Sequence, residues 1–143
     1  MSVTTTAHLN FRGQAREALE HYAAVFGGEP VVVTYADLPQ ESDADLGVVP
    51  EQVKWGQVAT PAGFSVMAYD VQPARGYDPG QDRLFMSVRG DDADEITRYF
   101  RGLAEGGHVR EELAPSGFSP LYGMVTDRFG ITWVLDVAAP YGG

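Results

Sequence analysis

Leu19, Tyr22, Ala23 and Phe26 are apolar at three- and four-residue spacing, the period that gathers side chains onto one stripe of an α-helix. The stripe stops at Gly27-Gly28, where glycine can take the positive φ that ends a helix, so the pattern predicts a first helix from about Ala15 to Phe26. The same spacing returns at Ile96, Tyr99, Phe100 and Leu103, opened by Asp92 with Glu95 three residues on and closed by Gly106-Gly107. Short apolar or alternating runs bounded by turn residues predict strands over 5–11, 29–35, 55–60 and 64–70. A matching set is predicted over 83–89, 108–114, 122–126 and 131–137. Pro61 to Gly63 and Asp127 to Gly130 read as tight turns in equivalent places.

The equivalence is an internal duplication. Phe11-Arg12-Gly13 followed by Glu17, Leu19, Tyr22 and Phe26 lines up with Val88-Arg89-Gly90 followed by Asp94, Ile96, Tyr99 and Leu103, at a constant offset of 77. Trp55-Gly56-Gln57-Val58 then Gly63-Phe64 lines up with Tyr122-Gly123-Met124-Val125 then Gly130-Ile131, at an offset of 67. Two ordered blocks at two offsets imply two strand-helix-strand-strand-strand modules, about 5–70 and 83–137, within a single α+β domain. The ten-residue difference places an insertion in the first copy, and Asp37 to Glu51 fits it: five acidic residues, no basic ones, with Pro39 and Pro50. That composition predicts a solvated loop, with a mobile lid as the alternative.

Composition narrows the chemistry. At 143 residues with 44% hydrophobic and 21% charged content, the chain is ordinary for one globular domain. It has no cysteine, which removes disulfides, thiolate metal sites and Cys nucleophiles. A net charge of -10 with scattered basic residues argues against nucleic acid and membrane surfaces as partners. With no basic-then-apolar leader pattern and no run near the roughly 18 apolar residues of a membrane span, a cytoplasmic location is expected.

The duplicated module resembles the vicinal oxygen chelate superfamily of glyoxalases, bleomycin-resistance proteins and extradiol dioxygenases. Within it, Leu9-Asn10-Phe11 leading to Glu17-Ala18-Leu19 and Tyr22, then Val25-Phe26-Gly27-Gly28, Tyr122-Gly123, Asp127-Arg128-Phe129-Gly130 and Trp133, looks like the PhnB-like subfamily. Its members often carry the label of 3-demethylubiquinone methyltransferase, yet no Gly-rich nucleotide-binding loop is present to hold a methyl donor. The resemblance implies two modules forming a cupped eight-stranded mixed sheet around a central site, and a homodimer. It also implies a divalent metal held by side chains on the first and last strand of each module. Carried over, those positions are Thr6 and Arg83, and Met67 and Val134. Thr, Arg, Met and Val do not form a divalent-metal ligand set, and bringing in His8 from the same strand face adds one ligand only. No metal and no organic cofactor is therefore expected.

Strand alternation puts Thr6, His8 and Asn10 on one face and Arg83, Phe85 and Ser87 on its counterpart, with Ser65, Met67 and Tyr69, and Thr132, Val134 and Asp136, on the last strands. The expected ligand-binding residues are Thr6, His8, Met67, Tyr69, Arg83, Phe85 and Val134. Arg83 needs an anionic partner, which is either a protein carboxylate or a ligand. His8 is either a proton acceptor or a structural residue. His21 and His108 are expected in solvent. Trp55, Tyr122 and Trp133 either stack on a ligand or fill the core. Asp70 and Asp136 follow opposite alternation and are not expected to pair. Together these point to a metal-free protein that binds a small molecule. The alternative is a lyase or isomerase type of enzyme using His8 and Arg83 on a small anionic substrate, with a displaced metal site or none.

Overall fold

The computed structural model describes residues 2–139. In chain order the elements are β1 (Ala7–Phe11), α1 (Ala15–Phe26), β2 (Val31–Thr34), α2 (Asp43–Leu46), β3 (Val53–Ala59) and β4 (Ser65–Asp70). The second set is β5 (Met86–Gly90), α3 (Ala93–Ala104), β6 (His108–Ala114), β7 (Tyr122–Thr126) and β8 (Thr132–Val137). Contacts divide the chain between Pro79 and Gly80 into two compact units, one per repeat. The eight expected strands are all present and are hydrogen-bonded as two four-stranded mixed sheets, ordered β1-β4-β3-β2 and β5-β8-β7-β6. In each sheet the first strand lies parallel to the last, and the other pairings are antiparallel.

Several strand boundaries differ from the sequence pattern, for reasons of pairing. The register Ala7↔Val66 meets a β4 that begins at Ser65, and Met86↔Trp133 meets a β8 that begins at Thr132. Only Ser65 and Thr132 remain ahead of those pairs, so Thr6 and Phe85 face the ends of their partner strands, Arg83 runs past the start of β8, and all three lie outside the observed strands. The acidic segment also departs from a plain loop. It contains the short helix α2, and backbone bonds fasten it from Ala36 N–H to Pro50 O (3.0 Å), Tyr35 N–H to Gln52 O (3.1 Å) and Ala74 N–H to Leu46 O (3.0 Å).

Each helix covers one face of its own sheet. The apolar stripe of α1 buries Leu19, Tyr22 and Phe26 against β3 and β4, where Val58, Val66 and Ala68 alternate inward. In the second unit Ile96, Phe100 and Leu103 bury against a sheet whose inward residues include Val125, Trp133 and Leu135. A fully buried side chain of this kind contributes about 1.5–3 kcal/mol relative to exposure. The repeated glycine of the third strand sits where the helix presses closest. A Cβ on Gly123 would lie 2.8 Å from Phe100 and 2.9 Å from Leu113, and one on Gly56 would overlap Leu19.

The two helices begin differently. Asp92 caps α3 by accepting from the Asp94 N–H (2.9 Å) and the Glu95 N–H (3.4 Å). At α1 the preceding Gln14 makes no side-chain cap, and Asp70 at the end of β4 serves instead. Its Oδ1 accepts from Gly13 N–H (2.7 Å) and Ala15 N–H (3.1 Å), and its Oδ2 from Val53 N–H (2.9 Å).

The Tyr35 hydroxyl donates to the Asp70 carbonyl at 2.7 Å, and burial, with the nearby Tyr69 and Asp70, pushes its pKa up to about 12 from 10.0. The unfolded phenol ionises near 10 and the folded one near 12, so its contribution is complete below pH 10 and declines as pH rises through 12. Urea unfolding between pH 9 and 12 should therefore show a loss of stability with pH that shrinks in Tyr35→Phe.

Candidate functional site

The face of the first sheet opposite α1 is built by strand register. His8 pairs with Met67 and Asn10 with Tyr69 across β1 and β4, while Gln57 pairs with Met67 across β3 and β4. Val31 and Val33 of β2 pair with Gln57 and Trp55, extending the same face. His8 and Asn10 are exposed, and Met67, Tyr69, Trp55 and Gln57 are half-buried. The His8 ring stands edge-on to Tyr69, with centroids 5.1 Å apart, and its Nδ1 lies 2.9 Å from Asn10 Oδ1. Register thus brings His8, Asn10, Met67 and Tyr69 onto one face, as the alternation predicts, and adds Trp55 and Gln57.

The helix-free face of the second sheet differs in charge. Ser87 pairs with Val134 and Arg89 with Asp136, while Met124 and Tyr122 of β7 lie opposite Val134 and Asp136. Arg89 holds Asp136 through two bonds of 3.0 and 2.9 Å, with the Asp136 side chain 4% exposed. Burial, then Glu111, raises the Tyr122 pKa. Val134 is half-buried on this face, as expected.

Arg83 and Phe85 are placed differently from the sequence pattern. Arg83 is exposed, and among the described residues it makes no ion pair. The ion pair forms one residue earlier, where Asp82, at φ 52, meets Arg110 with contacts of 2.7 and 2.9 Å. That pair lowers the Asp82 pKa and raises that of Arg110. Arg110 also lies 5.7 Å over the Phe85 ring, which is 41% exposed. Arg110 carried no sequence signal, because its partner comes from the segment ahead of β5 and the β6–β7 register is broken by a bulge at this point.

Other candidates resolve into structure. Trp133 is fully buried and its Nε1–H donates to Asp127 at 2.9 Å, whereas Trp55 and Tyr122 are half-buried. His108 is exposed, but His21 is half-buried instead of solvated, with its ring centroid 6.1 Å from that of Tyr22. Asp70 faces the helix side of its sheet and Asp136 the helix-free side of its own, each with separate partners.

A superfamily-type divalent site does not fit these residues. Thr6, Met67, Arg83 and Val134 offer neither carboxylate nor imidazole, His8 stands alone among the neighbouring positions of its sheet, and Asp136 is already held by Arg89. Among the described residues no three His, Asp or Glu side chains come together as a metal-holding group. The described residues also include no helix long and apolar enough to cross a membrane.

Comparison with known proteins agrees with this architecture. Protein YjdN of Escherichia coli (strain K12) is 22% identical over 137 residues, spanning 91% of this chain and 92% of that protein. The crystal structure of PA1353 from Pseudomonas aeruginosa is 30% identical with a TM-score of 0.83, covering 96% of this chain and 98% of that one. The PhnB protein of Bacillus cereus shares the fold at 22% identity and a TM-score of 0.75, covering 95% of this chain and 100% of that one. A family model matches residues 6–135, and the chain therefore belongs to the Glyoxalase/Bleomycin resistance protein/Dioxygenase superfamily.

Proposed function

We propose that this protein binds a small organic molecule on its helix-free sheet faces, as a cytoplasmic homodimer and without a metal or organic cofactor. The observation that carries the reading is the side-chain set on the first sheet: aromatic, thioether, amide and imidazole groups at paired positions, with no metal-ligand set among them. Such a surface offers apolar contact with a few directional polar groups, the composition of small-molecule sites in general. The expected ligand contacts in the first unit are Thr6, His8, Met67 and Tyr69. In the second they are Val134 and the Arg83–Phe85 segment held by Arg110.

Native mass spectrometry with elemental analysis of the protein as purified tests this. The expected result is a dimer without stoichiometric metal that retains a small molecule, with retention falling about tenfold in Tyr69→Ala, the loss of roughly 1.4 kcal/mol of aromatic contact. Stoichiometric nickel, zinc, iron or manganese would overturn it.

A further inference from the structure

Arg110 is set on the helix-free face of the second sheet by partners that are not acidic. Its Nη1 donates to the Thr132 hydroxyl at 3.4 Å, and its guanidinium lies 5.7 Å over the Phe85 ring. Thr132 is buried, and its hydroxyl lies 2.7 Å from that of Thr126, its partner across β7 and β8. The guanidinium fork meets the Asp82 carboxylate through two bonds of 2.7 and 2.9 Å. Two parallel N–H···O bonds of this kind are the geometry in which arginine recognises a carboxylate, whether from the protein or from a ligand.

The acid is the weakly fastened partner of the two. Asp82 stands at φ 52, the only non-glycine residue with positive φ among the described residues, a conformation that costs energy for any residue with a Cβ. Among the described residues no backbone hydrogen bond holds 81–84, and the Asp82 side chain is 50% exposed. An ion pair so exposed adds little to folding. Arg83 beside it is exposed and makes no ion pair among the described residues. A guanidinium positioned by the sheet is thus occupied by a carboxylate held in strained backbone, next to a second guanidinium with no acid of its own.

We propose that Arg110 reads a small organic carboxylate on the second sheet, with the ligand's apolar part toward Phe85, and that Asp82 is a built-in competitor which this ligand displaces. This rests on the helix-free face of the second sheet being a binding surface, and adds the charge class of the ligand, the residue that reads it and the segment that governs access.

The test uses the full chain with carbon-13 labelled Met methyl groups, titrated with 2-naphthoate and with 2-naphthamide, its neutral isostere. Met124, paired with Val134 on this face, reports occupancy. The wild type should bind 2-naphthoate about tenfold more tightly than 2-naphthamide, the worth of a charge-assisted pair. Asp82→Asn should tighten 2-naphthoate by about threefold, the worth of the exposed ion pair it removes, and leave 2-naphthamide unchanged. Asp91→Asn, which removes the same charge from an exposed position after β5, should change neither. Arg110→Gln should bring the two probes level. Equal binding of both probes to the wild type, or a ratio that survives in Arg110→Gln, overturns Arg110 as the reader and leaves the binding surface standing. A gain in Asp82→Asn no larger than in Asp91→Asn makes the Asp82–Arg110 pair structural and overturns the competitor. If neither probe shifts the Met124 methyl in any variant, the binding surface itself falls.

Discussion

Replacing Asp70 with alanine should lower the unfolding free energy by about 3 kcal/mol or more, the cost of leaving several buried donors without partners. Three backbone N–H groups at Gly13, Ala15 and Val53 converge on its two oxygens, and the residue is 2% exposed. One of them opens α1, so the carboxylate also faces the positive end of the helix dipole. Asp70→Asn should not rescue, because its NH2 would face an N–H where an oxygen is needed. The control is Asp92→Ala, which removes an exposed cap from α3 and should cost about 1 kcal/mol. Urea unfolding of the three variants checks the order. If Asp70→Ala costs no more than Asp92→Ala, the cross-strand cap is not what starts α1.

Gly107→Ala is the second large effect expected, at about 3 kcal/mol, the upper end of ordinary overpacking. A Cβ there would lie 2.9 Å from the Asp127 Cα and would overlap the Thr126 carbonyl, and these are backbone atoms that no rotamer change can move. Gly106→Ala beside it should cost roughly 1–2 kcal/mol, chiefly through its positive φ of 75°, since its Cβ would meet only the flexible Arg128 side chain, 3.2 Å away at Nε. The first module has the same contact in looser form, with Gly28 placing its Cβ 3.2 Å from the Ala59 carbonyl. Gly28→Ala should therefore be the milder of the pair in thermal denaturation, with a strain term from its φ of 90° added. A Gly107→Ala protein as stable as wild type would mean that the end of β7 yields freely.

These glycines show what the sequence could and could not convey. The recurrence of Gly56 at Gly123 helped expose the duplication, while Gly27-Gly28 and Gly106-Gly107 marked the helix ends, and the helical spacing of Leu19, Tyr22 and Phe26 was visible because each burial repeats with the period of one element. The faces of Met67, Tyr69 and Val134 followed from two-residue alternation, which strand pairing preserves. Arg83 was misplaced because the register runs it past the start of β8 at Thr132, and Phe85 lies one residue ahead of Met86, the first paired residue of β5. The Asp70 cap and the Asp82–Arg110 pair join residues 57 and 28 positions apart, and no local pattern marks such partners.

The parallel pairing of first and last strands sets a schedule for synthesis. At roughly 5–20 residues per second on the ribosome, β1 emerges several seconds before Ser65–Asp70 exists to sit beside it. During that interval α1 has been made but its first N–H groups have no carboxylate to receive them, since Asp70 is the last residue of the last strand. Neither module can close from its own beginning. Each waits for its final strand, so a nascent chain halted before residue 65 would hold an orphan edge and an unfinished helix, the state most exposed to chaperones and to mispairing with a neighbour.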